Sequence, residues 1–406
     1  MTVYLLATLD TKGAEAAFVR DALAARGVEV KLVDTGCLGE PTVAADITRD
    51  EVFRAAGSSL EAVRSRGDRG EAVALAAEGS SKVLGDRYAT VTGIMGLGGS
   101  AGTTIGTAAM RAFPLGVPKL MVSTLAAGQV RQYVGHKDIL MMNSVVDISG
   151  INRISRIVLA NAAGAMAGMV QTARVESPDD KPLVAATMFG VTTPCIEQAR
   201  AVLEAAGYEV IVFHATGAGG QAMESLISDR YFAGVLDITT TELADELVGG
   251  VLSAGPMRLI AAVLSGVPLV VSVGATDMVN FHAPDTIPPQ FDGRQFYQHN
   301  PTVTLMRTTV EENEAIGRDI ALKVARCHGP TAVMLPLRGV SAIDAVGQPF
   351  DDPAAREALF TAIRTHLSPV INPPNIELLE IDAHINDAPF AEAAARKLLD
   401  LMGDGR

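Results

Sequence analysis

The chain has 406 residues, with 46 acidic against 33 basic side chains and a formal net charge of −13, so a basic footprint for nucleic acid is not expected. Apolar residues make up 48% and charged residues 19%, which excludes a disordered chain and suffices for two packed cores of roughly 150 to 200 residues each. Aromatic residues are only 4%, with no Trp, so stacking platforms for bases are scarce.

The first strand-like run, Val3 to Ala7, begins without the basic leader and small-residue cleavage site of a signal peptide. Asp10-Thr11-Lys12-Gly13 follows at once. There Lys12 can meet a phosphate and Asp10 can hold a metal-bound water, or Asp10 or Thr11 simply caps the next helix. A helical run from Ala14 to Ala25 leads to a second strand, Val28 to Val33, closed by Asp34. Rossmann-like folds place a carboxylate at that point to receive ribose hydroxyls. From about Thr48 to Gly85, Ala, Arg and Glu recur at helical spacing, and this insertion reads as a surface helical pair suited to an oligomer contact.

A strand from Ala89 to Met95 then runs into Gly96-Leu97-Gly98-Gly99-Ser100-Ala101-Gly102-Thr103-Thr104 and an Ala-rich helix to Ala112. Glycines there let the backbone approach an anion, and the free N–H groups and dipole of the helix start favour phosphate. No Lys follows the last glycine as in a Walker loop, and the full GxGxxG spacing is missing. A tight turn that needs glycine only for sterics is the alternative.

Val175 to Pro182 is a short polar stretch of the kind that joins domains. Beyond it, His214-Ala215-Thr216-Gly217-Ala218-Gly219-Gly220-Gln221 follows the strand Glu209 to Phe213 and is a second candidate oxyanion loop. Asp237 to Glu242, with Thr239 and Thr240, could bind sugar or phosphate or make an ordinary helix cap. Leu259 to Val273, the most apolar stretch, is broken by Ser265, Gly266 and Pro268 too soon to cross ~30 Å of hydrocarbon, and reads as helix, turn and buried strand.

Gly274 to Asn300 reads as a long functional loop, rich in proline and polar groups and ending near His299. With Arg307 just beyond, a His to move protons and an Arg to pair with an anion would serve a small anionic substrate. An apolar strand, Ile376 to Ile381, precedes Asp382, His384 and Asn386, which share one face if the extension continues. Asp382 and His384 could form a metal pair, but no third ligand is identifiable, so any metal site is unknown. Cys37, Cys195 and Cys327 are isolated, which suits a reducing cytoplasm.

Strands and helices alternate throughout, the pattern of an α/β protein with parallel sheets. An internal echo sharpens this: Asp21 to Val30 (DALAARGVEV) returns 180 residues later as Ala201 to Val210 (AVLEAAGYEV). Ala7-Thr8 matches Ala186-Thr187, and Gly116-Val117-Pro118 matches Gly266-Val267-Pro268. Two Rossmann-like parallel-sheet subdomains related by an internal repeat are therefore expected, over residues 1–178 and 179–406, with a ligand cleft between them.

The strings ATLDTKG (Ala7 to Gly13), GLGGSAGTT (Gly96 to Thr104), RQFYQHNPTVTLMRTT (Arg294 to Thr309), LPLRGVSAID (Leu335 to Asp344) and DAHIND (Asp382 to Asp387) occur in this order. In them the chain resembles, over almost its whole length, a family of uncharacterised bacterial and fungal proteins that includes the N-terminal ATP-binding domain of a tomato mosaic virus resistance protein. The resemblance implies a two-subdomain α/β protein that binds ATP and dimerises. It also implies that the further TIM-barrel-like domain of the plant protein is missing from a chain ending at Arg406, and it leaves the reaction open.

The resulting expectation is an ATP-binding protein, accompanied by Mg²⁺, acting as an enzyme on a small anionic metabolite in the interdomain cleft. Phosphates would rest on Gly96 to Thr103, using Gly96, Gly98, Gly99, Ser100, Gly102 and Thr103, with Asp10, Thr11, Lys12 and Asp34 beside them. His299, Arg307, Asp382 and His384 would be catalytic. His214, Gly217, Gly219, Gly220, Thr239, Thr240, Glu242 and Asn386 would contact substrate. The alternatives are an ATP-dependent protein-binding module without catalysis, and a sugar-binding or isomerase-like protein without nucleotide. No membrane partner is expected.

Overall fold

Burial on both faces explains why the strands read as unbroken apolar runs. In the computed structural model, which describes residues 1–172, 177–371 and 375–403, the chain divides into two units, Met1–Glu176 and Ser177–Arg406. Val175 and Glu176, where the expected seam starts, lie outside the described residues.

The first unit comprises β1 (Thr2–Ala7), α1 (Leu9–Ala24), β2 (Glu29–Asp34), α2 (Arg49–Ala55), α3 (Leu60–Arg66), α4 (Arg69–Gly85), β3 (Gly93–Gly98), α5 (Ser100–Arg111), β4 (Lys119–Ser123), α6 (Arg131–Val134), β5 (Leu140–Asn143) and α7 (Arg153–Gln171). Its five strands are parallel, in the order β2-β1-β3-β4-β5. Alternate residues of β1 serve two cores. Val3, Leu5 and Ala7 pack with α1 and α7, while Tyr4 and Leu6 pack with Val52, Val83 and Met110 from α2, α4 and α5. The insertion is thus three helices rather than a pair. Its apolar positions are spent on the sheet and on one another, so it is not a free surface element.

The second unit comprises β6 (Leu183–Met188), α8 (Thr193–Ala205), β7 (Glu209–His214), α9 (Ala218–Ser228), β8 (Phe232–Thr239), α10 (Thr241–Val248), α11 (Ile260–Ser265), β9 (Leu269–Gly274), β10 (Met278–Phe281), β11 (Phe296–Asn300), β12 (Val303–Arg307), α12 (Val310–Val324), β13 (Thr331–Pro336), α13 (Pro353–Leu367), β14 (Ile376–Ile381) and α14 (Ala388–Met402). Its main sheet is parallel in the order β7-β6-β8-β9-β13-β14, the order of the first unit extended by one strand. The echoed segments fall at the same place in each copy, where α1 passes into β2 and α8 into β7. Gly116 and Gly266 both hold left-handed backbone, with φ of +85° and +76°, just before β4 and β9.

The stretch expected as one long loop over Gly274 to Asn300 instead contains two strands of a small antiparallel sheet, ordered β10-β12-β11, with residues 282–295 left as the connection between them. Its first strand was hidden by composition. Asn280 makes the run look polar, yet it is buried and donates Nδ2–H to Asp245 Oδ2 at 2.6 Å, so the whole of Met278–Phe281 can enter the core. Among the described residues no helix is long and apolar enough to cross a membrane.

One ion-pair network organises the second unit. Arg258, 0% exposed, donates to both Asp237 oxygens at 2.5 and 2.7 Å, to Glu242 Oε2 at 2.6 Å and to Glu224 Oε1 at 3.3 Å. Burial alone would discharge a guanidinium, but the three carboxylates hold its pKa well above the ordinary range. Removing the cation would strand buried negative charge, so Arg258→Met is expected to cost about 3–5 kcal/mol of stability in urea titration. Combining it with Asp237→Asn and Glu242→Gln should recover part of that loss; no recovery would show that packing rather than charge sets the cost.

Candidate functional site

In a sheet of this order the loops leaving β1 and β3 run to opposite faces, which opens a crevice beyond their carboxyl ends. The first unit has a cavity of about 580 Å³ there. One wall is the turn from β1 into α1, with Thr8, Asp10, Thr11 and Lys12. The second is the turn from β3 into α5, with Gly98, Gly99, Ser100 and Gly102. A third comes from the insertion, where Val63, Arg64, Gly67, Asp68 and Arg69 line the space.

The turn after β3 explains its own glycines. A Cβ on Gly98 would lie 2.7 Å from Gly102 Cα, and one on Gly102 would lie 2.9 Å from the Leu97 carbonyl oxygen, so both permit α5 to sit against the strand. Gly99 is different. Nothing would come nearer its Cβ than Thr124 Oγ1 at 3.6 Å, so packing does not require glycine there. Gly99 is also the N-cap of α5 and offers no side chain to the first helical N–H groups. These donors and the positive end of a 12-residue helix therefore meet the cavity uncapped.

The charged groups differ in how free they are. Lys12 Nζ donates to the Ile148 carbonyl. Arg64 donates to the carbonyls of Cys37 at 2.7 Å and of Leu38 and Gly39 at 3.2 Å each, tying the insertion to the loop after β2. Asp10 Oδ2 accepts from the N–H groups of Leu38 and Gly39 at 2.9 and 3.1 Å, so it caps that loop rather than its own helix. Arg69 has no hydrogen bond or ion pair among the described residues. The Cys37 thiol also lines the cavity, and burial, then the Asp10 charge, pushes its pKa up, so it is a poor nucleophile.

Of the residues expected to hold a cofactor, Asp10, Thr11, Lys12, Gly98, Gly99, Ser100 and Gly102 line this cavity. Gly96 does not. It lies within β3, where a Cβ would press on Met121 Sδ at 2.5 Å. Thr103 turns inward, its hydroxyl bonded to the Gly99 carbonyl at 2.7 Å and to Ser123 Oγ at 2.6 Å. Asp34 is 1% exposed, and its Oδ1 accepts the N–H groups of Leu9 at 3.0 Å and Gly36 at 2.9 Å. Burial raises its pKa against those bonds, and its position suits fixing the β1–α1 turn rather than reading a ribose. The insertion residues were missed because their spacing shows helices but not which wall those helices build.

The second unit spends most of its expected site internally. Glu242 Oε1 accepts the N–H groups of Gly217 at 2.6 Å and Gly220 at 3.1 Å, so the protein's own carboxylate occupies the second glycine loop. Gly219 packs against the His214 carbonyl, while the His214 ring lies 5.4 Å from that of Phe189. Thr239 and Thr240 are buried, bonded through their hydroxyls to Thr192 Oγ1 at 2.8 Å and to the Ser272 carbonyl at 2.9 Å.

His299 and Arg307 are not brought together. His299 is exposed beside the turn between β11 and β12, whereas Arg307 ends β12, four residues beyond Val303, or roughly 13 Å along the strand. Arg307 is buried and committed to the carbonyls of Phe350 at 2.9 Å and Asp277 at 3.2 Å, to Thr308 Oγ1 at 2.8 Å and to Asp344 at 3.5 Å.

Asp382, His384 and Asn386 do not share a face, because the chain turns after β14. Asp382 is exposed and pairs with Arg338 at 2.7 and 2.8 Å. His384 Nδ1 accepts the Asn386 N–H at 3.1 Å, which leaves the proton on Nε2 to be donated to the Ser341 carbonyl at 2.8 Å. Asn386 bonds the Val191 carbonyl at 2.9 Å and the Cys195 N–H at 3.3 Å, joining the turn after β14 to that after β6. No group of three His, Cys, Asp or Glu able to hold a metal occurs among the described residues.

Beside Arg307, Asp277 is fully buried, with Oδ2 accepting from Ser341 Oγ at 2.8 Å and Oδ1 without a partner. Burial, then the neighbouring Asp344 charge, pushes its pKa from 3.8 up to about 7. The unfolded chain therefore loses this proton first, so the stability it confers is full below about pH 4 and is lost as pH rises through about 7. Urea titrations at pH 4.5 and pH 7.5 should show a smaller drop for Asp277→Asn than for the wild type; an equal drop would place the proton elsewhere.

Two family profiles match the chain, the uncharacterised protein family (UPF0261) N-terminal domain over residues 1–175 and its C-terminal domain over residues 181–402. A UPF0261 protein of Clostridium tetani is 49% identical over 402 residues, covering 98% of each chain. One of Rhizobium meliloti is 47% identical over 402 residues, again covering 98% of each. The tomato (Solanum lycopersicum) ToMV resistance protein Tm-1(GCR237) is 45% identical over 322 residues, which are 78% of this chain and 42% of the tomato protein. With both units matched in order, the chain belongs to the UPF0261 family.

Proposed function

We propose that the first unit binds ATP in the cavity beyond β1 and β3, and that the protein is an enzyme using this nucleotide on a small anionic metabolite. The observation that carries the reading is the uncapped start of α5 opening into a cavity at the switch in strand order. The N–H groups of Ser100, Ala101 and Gly102 would take phosphate oxygens, with the helix dipole stabilising their charge. Lys12 would add positive charge from the opposite turn. The aliphatic side chains of Leu38, Val63, Ala72, Val73 and Ile105 line the same cavity and would cover the base without an aromatic stack.

Magnesium would enter with the nucleotide, held mainly by phosphate oxygens, because the described residues supply no three-ligand cluster. It would neutralise charge on the transferring phosphoryl group. Phosphoryl transfer asks a protein mainly for position and charge neutralisation, so the lack of an activated thiol is no obstacle. A cytoplasmic setting belongs to the same reading, and Cys37, Cys195 and Cys327 are all free thiols.

Calorimetry of the full chain with ATP and Mg²⁺ tests the binding. Gly99→Val, which has room for a Cβ but would crowd an anion, should weaken affinity at least ten-fold, by about 1.4 kcal/mol or more, without a matching loss of stability. Unchanged affinity removes the phosphate from this loop. Turnover stimulated by one component of a metabolite pool supports the enzyme; tight binding with no turnover in any pool assigns a binding module instead.

A further inference from the structure

Arg69 stands out among the basic side chains of the cavity. Lys12 and Arg64 are held by backbone carbonyls, whereas Arg69 lines the space with no partner among the described residues. Its placement also runs against local electrostatics. It is the first residue of the 17-residue helix α4, where the dipole disfavours a cation, while the other charges there, N-cap Asp68 and Glu71, have the favourable sign. A residue that breaks a local rule without a compensating contact marks a place where the fold yields to another demand.

We infer that Arg69, presented by the insertion on the wall provided by α4, is the specificity-determining residue that pairs with the outermost phosphate of the bound nucleotide. The inference rests on the nucleotide reading and deepens it: the loop after β3 would hold a phosphate common to all nucleotides, while Arg69 would reward each additional phosphate. A guanidinium suits this role because it stays charged at any working pH and meets phosphate oxygens with two parallel N–H bonds. The preferred ligand class is accordingly a nucleoside triphosphate over a monophosphate. The insertion becomes the part of the fold that counts charge.

The test measures binding of ATP, ADP and AMP to the full chain by calorimetry, for the wild type, Arg69→Met, Arg69→Lys and Arg66→Met. Arg66 is the control, a cation at the end of α3 that is exposed as Arg69 is, pairs with Glu71 at 2.7 Å and does not line the cavity. Arg69→Met should lower ATP affinity roughly ten-fold or more while changing AMP affinity less than about two-fold. Arg69→Lys should restore part of the preference, and Arg66→Met should keep all of it. The melting temperature of Arg69→Met should hold or rise slightly, since an unfavourable cation leaves the helix start. A wild type that binds all three nucleotides equally, or an Arg69→Met protein that keeps the wild-type ATP-to-AMP ratio, overturns the inference and leaves the nucleotide reading standing. A wild type that binds none of the three overturns both.

Discussion

A strand in a parallel sheet cannot be followed directly by its neighbour; the chain must cross back over one face, and here each crossover carries at least one helix. Both faces of each sheet are then covered, which sets the apolar character of nearly every strand. All the carboxyl ends are left on one edge, where helices begin with their N–H groups directed outward. The cavity beyond β1 and β3, the glycine loop after β7 and the polar turn after β14 are three products of this geometric necessity.

The two copies have answered the same problem differently. In the first unit the helix after β3 begins on Gly99 with no capping side chain, and its donors open into a cavity. In the second unit the corresponding segment after β8 brings Thr240, Thr241 and Glu242 to the helix start, all fully buried. Glu242 reaches across to the N–H groups of Gly217 and Gly220, and Arg258 balances it. The start of α5 opens into a cavity, whereas in the second unit Glu242, from the first turn of α10, supplies the acceptor for the neighbouring start of α9.

The strand-and-helix rhythm and the duplication were legible in the sequence because they rest on local signals, namely apolar runs and a glycine-containing turn before β4 and β9. The wall of the cavity near Gly98 and Lys12 was legible for the same reason, since a turn after a strand lies at the sheet's edge whatever else the chain does. Arg307 was not, because a cation that bonds three backbone carbonyls and a distant Asp344 looks in sequence like one awaiting an anion. Asp34 shares that ambiguity, its partners Leu9 and Gly36 being visible only once the strands are side by side. Arg69 escaped notice for the opposite reason, since its neighbours in sequence describe an ordinary exposed helix.

The bond between Glu242 and the glycine loop is tethered through α10, so its acceptor cannot diffuse away. A tethered acceptor has an effective concentration that no dissolved metabolite matches, so the backbone of residues 214–221 is held whether the cell is starved or replete. The loop after β3 has no such tether: Gly99 caps α5 without a side chain. The two halves thus differ in where an acceptor for a helix start comes from: at α9 it is built into the chain, and at α5 no side chain supplies it.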